Sequence, residues 1–405
     1  MFSGYLKFAG REIINSARTE SYLRNFLPFL DVLPMSQNLS TLLGNQTYVS
    51  PARDTAPWYR PQNPASGRFY GLYPTRLSGA EDSTREIDVT DLTGDGTVSS
   101  KPRYGGRELR FVAMALAADD EAMAEGMAWL RDSLDPGGCV ANGLGCGGWE
   151  AELFATAKVS SGGPDPLRTF YKVELLDAPR VTKEFASKRC SALLVEFVLH
   201  ANVPWAFTSE QRIASVDMNV DAVSITDPAG EDCSRAMNAY SRFINDPYFT
   251  AISAPPQPPV MKPPNILDIN SWRRRTVAIP PAATARWGRG VPVVQVVVGN
   301  NDLQQLRIRF YRRTANLQGC DYEGEFLVSY LPVNSVMTLN GITKEARVRL
   351  PGSSVEVPGE HLLYGSDGLP FTWPTLACRD SYSMVVDMMP GNTNINVVLD
   401  LAVRE

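Results

Sequence analysis

Apolar and polar residues alternate along several segments of the chain with the two-residue period of a β-strand. The clearest segment is 107–116, and further strands are predicted at 11–15, 169–176 and 189–201. Two of these segments have a continuous apolar face, formed by Leu109, Phe111, Ala113 and Ala115 in the first and by Leu193, Val195, Phe197 and Leu199 in the last. The pattern predicts a sheet with one face turned to a core.

A helical period follows the strand at 107–116 directly. Asp119 is a suitable N-cap, and Asp135 begins a Pro-Gly-Gly stop. Between them the apolar residues recur on one helical face, at Met123, Met127, Leu130 and Leu134. We therefore predict a helix over about 119–134, packed on the sheet. A further helix is predicted over 16–26, with Ser16 as its N-cap and Pro28 at its end.

The last third of the chain has a strand period and no helical one. Eight short strands are predicted there, at 275–279, 293–298, 306–311, 325–331, 336–339, 344–350, 382–388 and 394–403. Asn340-Gly341 is a strong signal for a two-residue hairpin turn. Many short strands with such spacing favour a β-sandwich of jelly-roll or galectin type.

Two segments interrupt these patterns. Residues 51–74 are rich in proline and aromatic residues and predict a long irregular excursion. A short helix is predicted at 233–245, and the segment 254–264 that follows holds six prolines in eleven residues, which favours a stiff connection. The predicted fold is therefore mainly β, with three regions: a β domain with one packed helix at 1–208, an insertion and Pro-rich linker at 209–264, and a β-sandwich at 265–405.

Composition narrows the class of protein. The 405 residues are 44% apolar and 20% charged, which is typical of globular domains. A net charge of −5 disfavours a nucleic-acid binder, and no apolar run approaches the 18 or so residues that cross a bilayer. The first ten residues lack the pattern of a secretory signal, so we expect synthesis in a cytoplasm and no membrane partner.

Candidate chemistry is sparse. The sequence has two histidines, no P-loop, no GxGxxG and no HExxH motif. His200 and Glu196 share a strand face and could form an acid–base pair or an ordinary surface pair. Asp91–Thr97 resembles half of a calcium loop, but Pro102 stands where a glutamate is needed, which favours a Gly-rich turn. Cys139 and Cys146 lie in a Gly-rich loop without further ligands, and reduced thiols are expected. We predict no catalytic, cofactor or metal site.

The distribution of charge and three tryptophans each allow two interpretations. Residues 265–313 carry nine arginines against two acids, whereas 314–405 carry eleven acids against five bases. These charges could lie on different surfaces and join subunits head to tail, or they could pair between strands of one sandwich. Trp272, Trp287 and Trp373 could stack on sugar rings if they are exposed, or they could pack in the core.

Several stretches resemble the distal tail proteins of siphophages. Arg103–Met114, followed by the acidic-capped helix ending in Trp129–Leu134, resembles the strand-then-helix segment of that family, and His200–Phe207 is similar to the end of its tube-like domain. Three C-terminal stretches resemble its galectin-like domain, namely Tyr330–Lys344, Trp373–Leu376 and Asn394–Leu401. Among such proteins, the layout of this chain resembles that of the minor tail proteins of actinobacteriophages. The chain departs from the family at 51–74 and 209–264.

The resemblance implies a structural protein of the virion, located at the tip of a phage tail. It implies a ring of copies, a hexamer or alternatively a trimer, that joins the tail tube protein to tail-tip hub, fibre or baseplate proteins. DNA would pass through the lumen without specific binding. A minor tail protein that binds a host cell-surface glycan is the alternative function, and a cell-wall hydrolase is disfavoured because no catalytic set is present.

Overall fold

The structure is a computed structural model. It describes residues 2–28, 39–81, 85–93, 95–100, 102–136, 148–155, 167–186, 190–219, 223–225, 272–281, 288–313, 322–364, 373–389 and 394–404. The predicted helix at 233–245, the proline run at 254–264 and Trp287 lie outside these residues. The chain divides into two compact units, 1–209 and 210–405. The prediction of a mainly β fold is confirmed.

The first unit is built on an antiparallel seven-stranded sheet. Its strands and helices in chain order are β1 (Phe2–Phe8), β2 (Arg11–Asn15), α1 (Ser16–Phe26), α2 (Leu39–Leu42), β3 (Phe69–Ser78), β4 (Arg85–Glu86), β5 (Val89–Asp91), β6 (Thr97–Ser99), β7 (Arg103–Tyr104), β8 (Arg107–Ala117), α3 (Asp120–Leu134), β9 (Trp149–Ala155), β10 (Leu167–Ala186) and β11 (Ser191–Ala201). A 3-10 helix spans Pro64–Arg68. The sheet has the order β2-β1-β9-β10-β11-β8-β3, and β4–β7 and β5–β6 form two small ribbons outside it.

Strand β8 and helix α3 form as the sequence predicts. The predicted apolar face of β8 is completely buried, and Phe111 stacks on Phe197 of β11 with ring centroids 5.0 Å apart. The Asp119 carboxylate accepts a hydrogen bond of 2.9 Å from the backbone N–H of Ala122, which caps the helix. All four residues of the predicted helical stripe are buried in the core of this unit.

The first helix has a different cap from the predicted one. Asn15 is the N-cap of α1, and its Oδ1 accepts from the backbone N–H of Arg18 at 3.1 Å. Ser16 is the first helical residue, buried beside Gly4. Asn and Ser cap helices about equally well, so composition alone could not separate two neighbouring candidates.

The irregular excursion predicted at 51–74 ends earlier than expected, because β3 begins at Phe69. Trp58 lies in the core and donates a hydrogen bond of 2.9 Å from its indole Nε1 to the Phe69 carbonyl oxygen. Its ring meets that of Trp129 on α3 at 5.3 Å. The aromatic residues of this segment therefore fill the core between helix and sheet. Because many of them are adjacent in the sequence, the alternation of apolar and polar residues typical of a strand is not visible there.

The second unit is a sandwich of two antiparallel sheets around one core. Its strands are β12 (Gln211–Asp217), β13 (Val223–Ile225), β14 (Trp272–Ile279), β15 (Arg289–Val298), β16 (Leu303–Arg312), β17 (Tyr322–Leu331), β18 (Val336–Asn340), β19 (Glu345–Arg349), β20 (Glu356–Pro358), β21 (Leu363–Tyr364), β22 (Leu376–Ala377), β23 (Tyr382–Met388) and β24 (Ile395–Arg404). A 3-10 helix spans Glu360–Leu362. One sheet has the order β12-β24-β15-β18-β19-β20 with β22 beside β15, and the other has the order β13-β14-β23-β16-β17-β21.

Two details of this unit differ from the predictions. Residues 211–217, placed in the insertion by the sequence, form β12 and pair with β24. Most residues of this strand are exposed or half-buried, and its sequence has no clear apolar alternation from which a strand could be predicted. The predicted hairpin forms at Asn340, but its loop has four residues, 341–344, because Asn340 Oδ1 accepts from the backbone N–H groups of Ile342 and Thr343. Gly341 lies against the Pro292 carbonyl at 2.5 Å from an ideal Cβ position, which favours glycine there.

The charges of the second unit pair within it. Asp387 on β23 is completely buried and accepts hydrogen bonds of 2.6 Å from Arg274 of β14 and 2.6 Å from Arg309 of β16. Arg307 of β16 likewise pairs with the buried Glu325 of β17. For these residues the head-to-tail alternative is wrong, because the arginine-rich segment 265–313 and the acid-rich segment 314–405 form neighbouring strands of one sheet.

The α3 stripe should control the stability of the first unit. Replacing Leu130, which is completely buried, by alanine removes core contacts and leaves a cavity. We expect Leu130→Ala to lower the free energy of unfolding by about 3 kcal/mol in urea denaturation. Glu125→Ala on the same helix is the control, with an expected change of about 0.5 kcal/mol or less. Equal effects of the two variants would contradict the packing of α3.

The stability of the second unit should depend in the same way on the buried carboxylate of Asp387. Asp387→Asn leaves the guanidinium groups of Arg274 and Arg309 without their anionic partner, and such a change costs about 3 kcal/mol or more. Asp380, a more exposed acid 3.5 Å from Arg312, provides the control, since Asp380→Asn should cost about 1 kcal/mol or less. The urea midpoints of the two variants measure the difference, and a harmless Asp387→Asn would refute the structural role of the cluster.

Candidate functional site

A two-stranded arm leaves the sheet of the first unit between β3 and β8. We call residues 85–104, which contain β4 to β7, the arm. Its strand pairs are Arg85 with Tyr104 and Val89 with Ser99 among others, and all the residues of its four strands are exposed. At its base, Gly79 has φ of +86° and lies against the Glu108 carbonyl oxygen, which leaves no room for a side chain.

The arm exposes an unusual amount of apolar surface for its length. Exposed fractions are 41% for Ile87, 61% for Val89, 50% for Leu92 and 55% for Val98. An isolated two-stranded hairpin is only marginally stable in water. These side chains lie on both faces of the ribbon, because Val89 is opposite Ser99 and Val98 is opposite Thr90. Exposed apolar side chains on such a projection make it a candidate surface for contact with another molecule.

The second notable feature is a strand edge on β10. This strand is 20 residues long, but β9 pairs only with its first part, up to Val173. Among the described residues, 174–186 are hydrogen-bonded as a strand on one side only, to β11. Register shifts and Pro179 interrupt the part before Arg180, whereas the register from Lys183 to Ala186 is regular. An edge of this kind can accept a further strand.

A groove of about 740 Å³ lies beside this edge, between α3 and the β10–β11 hairpin. Its apolar lining includes Met123 and Met127 of α3, and Val181 and Phe185 of β10, the last two being exposed. Three charged residues also line it, namely Asp120, Arg131 and Glu184. The groove and the strand edge together form an elongated, partly apolar surface, which we call the edge groove.

The Glu196–His200 alternative is decided by two arginines. The Glu196 carboxylate accepts hydrogen bonds of 2.8 Å from Arg110 and 3.0 Å from Arg180. Hydrogen bonds from Arg180 and then Arg110 hold the pKa of Glu196 below its usual value. Glu196 is therefore an anion held by two arginines, which favours an ordinary surface charge over an acid–base pair with His200.

The Asp91–Thr97 segment forms the turn at the end of the arm. The Leu92 backbone N–H donates to the Gly96 carbonyl oxygen at 3.0 Å, and Gly96 has φ of +110°. The prediction of a Gly-rich turn is thereby confirmed. Within the described ranges, no group of three or more His, Cys, Asp or Glu residues is placed to hold a metal ion.

Cysteines and hydropathy add little chemistry. Cys190 and Cys378 are buried free thiols, and the Cys139–Cys146 loop lies outside the described residues. No helix in the part of the chain that the structure describes is long and apolar enough to cross a membrane.

The three candidate glycan-stacking residues have different positions. Trp373 is half-buried and packs against the core of the sandwich, with its ring centroid 5.4 Å from that of Phe326. Trp272 is the first residue of β14, which β23 and β16 separate from β17, the strand of Phe326. Trp287 lies outside the described residues. Stacking of these residues on a glycan stays a prediction.

Sequence inspection missed both the arm and the open edge. The signal for the arm is the pair of short apolar segments, around Val89 and Val98, on either side of the Asp91–Thr97 turn. The open edge has no signal of its own, because it arises from the difference in length between β9 and β10.

No family model and no curated protein matches the sequence. Among solved structures, the chain is similar to the Dit protein of phage SPP1, described as a paradigm of the hub adsorption apparatus of phages that infect Gram-positive bacteria, with 10% identity, a TM-score of 0.40 and coverage of 84% of this chain and 95% of that one. The baseplate of phage P2, in its activated conformation with Ca, contains a chain with 6% identity, a TM-score of 0.39 and coverage of 80% and 92%.

A third solved structure matches a smaller part. The CBM2 module of the evolved Dit of Lactobacillus casei BL23 phage J-1 shows 11% identity and a TM-score of 0.18, and covers 48% of this chain and 95% of that one. These three structures are thus of a phage Dit protein, a phage baseplate and a module of a phage Dit. At TM-scores below 0.5, these likenesses establish neither a shared fold nor a shared function.

Proposed function

We propose that this protein is a structural component of a phage tail tip, of the distal tail or minor tail type. Several copies form a closed ring, a hexamer or alternatively a trimer. The ring joins the tail tube protein to the tail-tip hub and to fibre or baseplate proteins. DNA passes through its lumen without specific binding, and the protein has no catalytic activity of its own.

The strand-then-helix segment carries this proposal. The resemblance to siphophage distal tail proteins rests first on the segment from Arg103 to Leu134, and the structure has β8 there, followed after two residues by α3. Asp119 caps that helix, and its stripe packs on the sheet. The local structure that the resemblance implies is therefore present in the chain.

The exposed surfaces of the first unit support assembly from several copies. The arm and the edge groove both leave apolar side chains in water, and among the described residues 174–186 of β10 pair with another strand on one side only. Soluble monomers rarely combine both features, because such edges lead to uncontrolled association. A defined neighbour in a ring would cover them.

The oligomeric state and the location in the virion test the proposal. Native mass spectrometry of the purified full chain should give a closed oligomer, with a mass of six or three times 44.5 kDa. Negative-stain electron microscopy should show rings, and gold-labelled antibody should mark the tail tip of intact particles. A chain that stays monomeric at micromolar concentration and does not label tails would refute the proposal.

A further inference from the structure

We propose that the arm of one copy adds as a strand to the open edge of β10 in the neighbouring copy and inserts apolar side chains into the edge groove. The occupant of the edge groove is thus a second copy of this chain. The inference rests on the proposed ring, and it specifies the contact that closes it.

The two surfaces have the geometry that strand addition needs. The arm is an extended ribbon whose outer strand edges face no other strand among the described residues. Residues 181–186 of β10 provide an edge of matching length, in regular register with β11 from Lys183 onwards. Main-chain hydrogen bonds give affinity in such pairings, and pockets for alternate side chains give specificity.

The apolar pattern of the arm fits the edge groove. Ile87 and Val89 alternate with Glu86 and Asp88 along the sequence, and residues 87–88 connect β4 to β5. In the extended conformation of an added strand, Ile87 and Val89 would lie on one face and Glu86 and Asp88 on the other. Met123 and Met127 of α3 and Phe185 of β10 line the groove. An added strand can therefore turn its apolar face to α3 and its acidic face away from it.

The charges favour the same partner. The arm carries four acids and no base between Glu86 and Ser100. Lys183 lies on the open edge, with its ammonium group 4.9 Å from the ring centroid of Phe185, and Arg131 lies across the groove. Asp120 and Glu184 also line the groove, whereas Lys183 pairs with Leu194, on the face of β11 opposite Leu193 and Val195. An arm that turns its acids away from α3 therefore avoids Asp120 and Glu184 and can bring Asp88 to Lys183.

The contact joins two different surfaces of the chain. The arm leaves from β3 and β8, while the open edge of β10 lies beyond β11 on the other side of β8. A contact between two different surfaces of the same chain is heterologous, and repeated contacts of this kind close into a ring when the rotation permits. Each copy then offers one arm and receives another.

A charge exchange tests the contact. Asp88→Lys and Lys183→Glu each place like charges together, so each should raise the dissociation constant of the oligomer about fivefold or more. The double variant should restore association. An equal mixture of the two single variants should also restore it in a ring with an even number of copies, such as a hexamer, where the two variants can alternate. Both positions are exposed, and Glu356→Lys in the second unit is the matched control, with association like that of the parent chain.

Chemical cross-linking tests the proximity directly. The variant with both Val89→Cys and Val181→Cys should give a ladder of covalent oligomers with a short bis-maleimide, up to the size of the ring. The parent chain and each single-cysteine variant, treated in the same way, give the background from native thiols.

The outcomes separate the contact from the ring. An oligomer that the charge variants do not weaken, with cross-links no stronger than the background, would overturn the arm contact and leave the ring intact. A monomeric parent chain would overturn both. An arm that cross-links in intact particles to a different tail protein, and not to a second copy, would also overturn the inference.

Discussion

Eleven consecutive residue pairs join β8 to β11 without a shift of register, from Arg107–Ala201 to Ala117–Ser191. The rest of the first unit depends on this ladder. One face of both strands carries the side chains that α3 and the aromatic residues around Trp58 cover. The two strands also connect the features proposed for assembly, since the arm extends from β8 and the open edge belongs to the strand beside β11.

The second unit differs from the first in that several charged side chains are buried in it, away from water. Asp387, Arg309 and Glu325 are almost completely buried, and they are stable there only as paired ions. Their strands are neighbours in one sheet, so each cross-strand contact also fixes which residues face each other. Arg307 and Arg309 of the arginine-rich segment therefore pair with acids of their own sheet and are not available to bind another subunit.

Regular elements with strong periodicity could be predicted from the sequence. Strand β8, helix α3 and the eight strands predicted in the last third are all present, because their apolar residues alternate at the period of the element they form. Strands β1, β9 and β12 could not be predicted in this way. They owe their structure to pairing with distant strands such as β10 and β24, which no local pattern encodes.

The candidate site was less accessible to sequence reasoning than the fold. Arm residues such as Val89 and Val98 have an ordinary strand composition, and only their exposure in the folded chain distinguishes them from core residues. The edge groove requires α3, β10 and β11 together. Glu196 could be recognised as a candidate acid, but its two arginine partners come from strands on either side of it.

An electron cryo-microscopy reconstruction of the full-chain oligomer, at a resolution that separates β-strands, tests the central claim most directly. If the copies are joined as proposed, density for residues 86–92 of one copy will continue the sheet of its neighbour beside residues 181–186. An arm that projects into solvent or contacts any other surface, with the edge of β10 left unpaired, would contradict it.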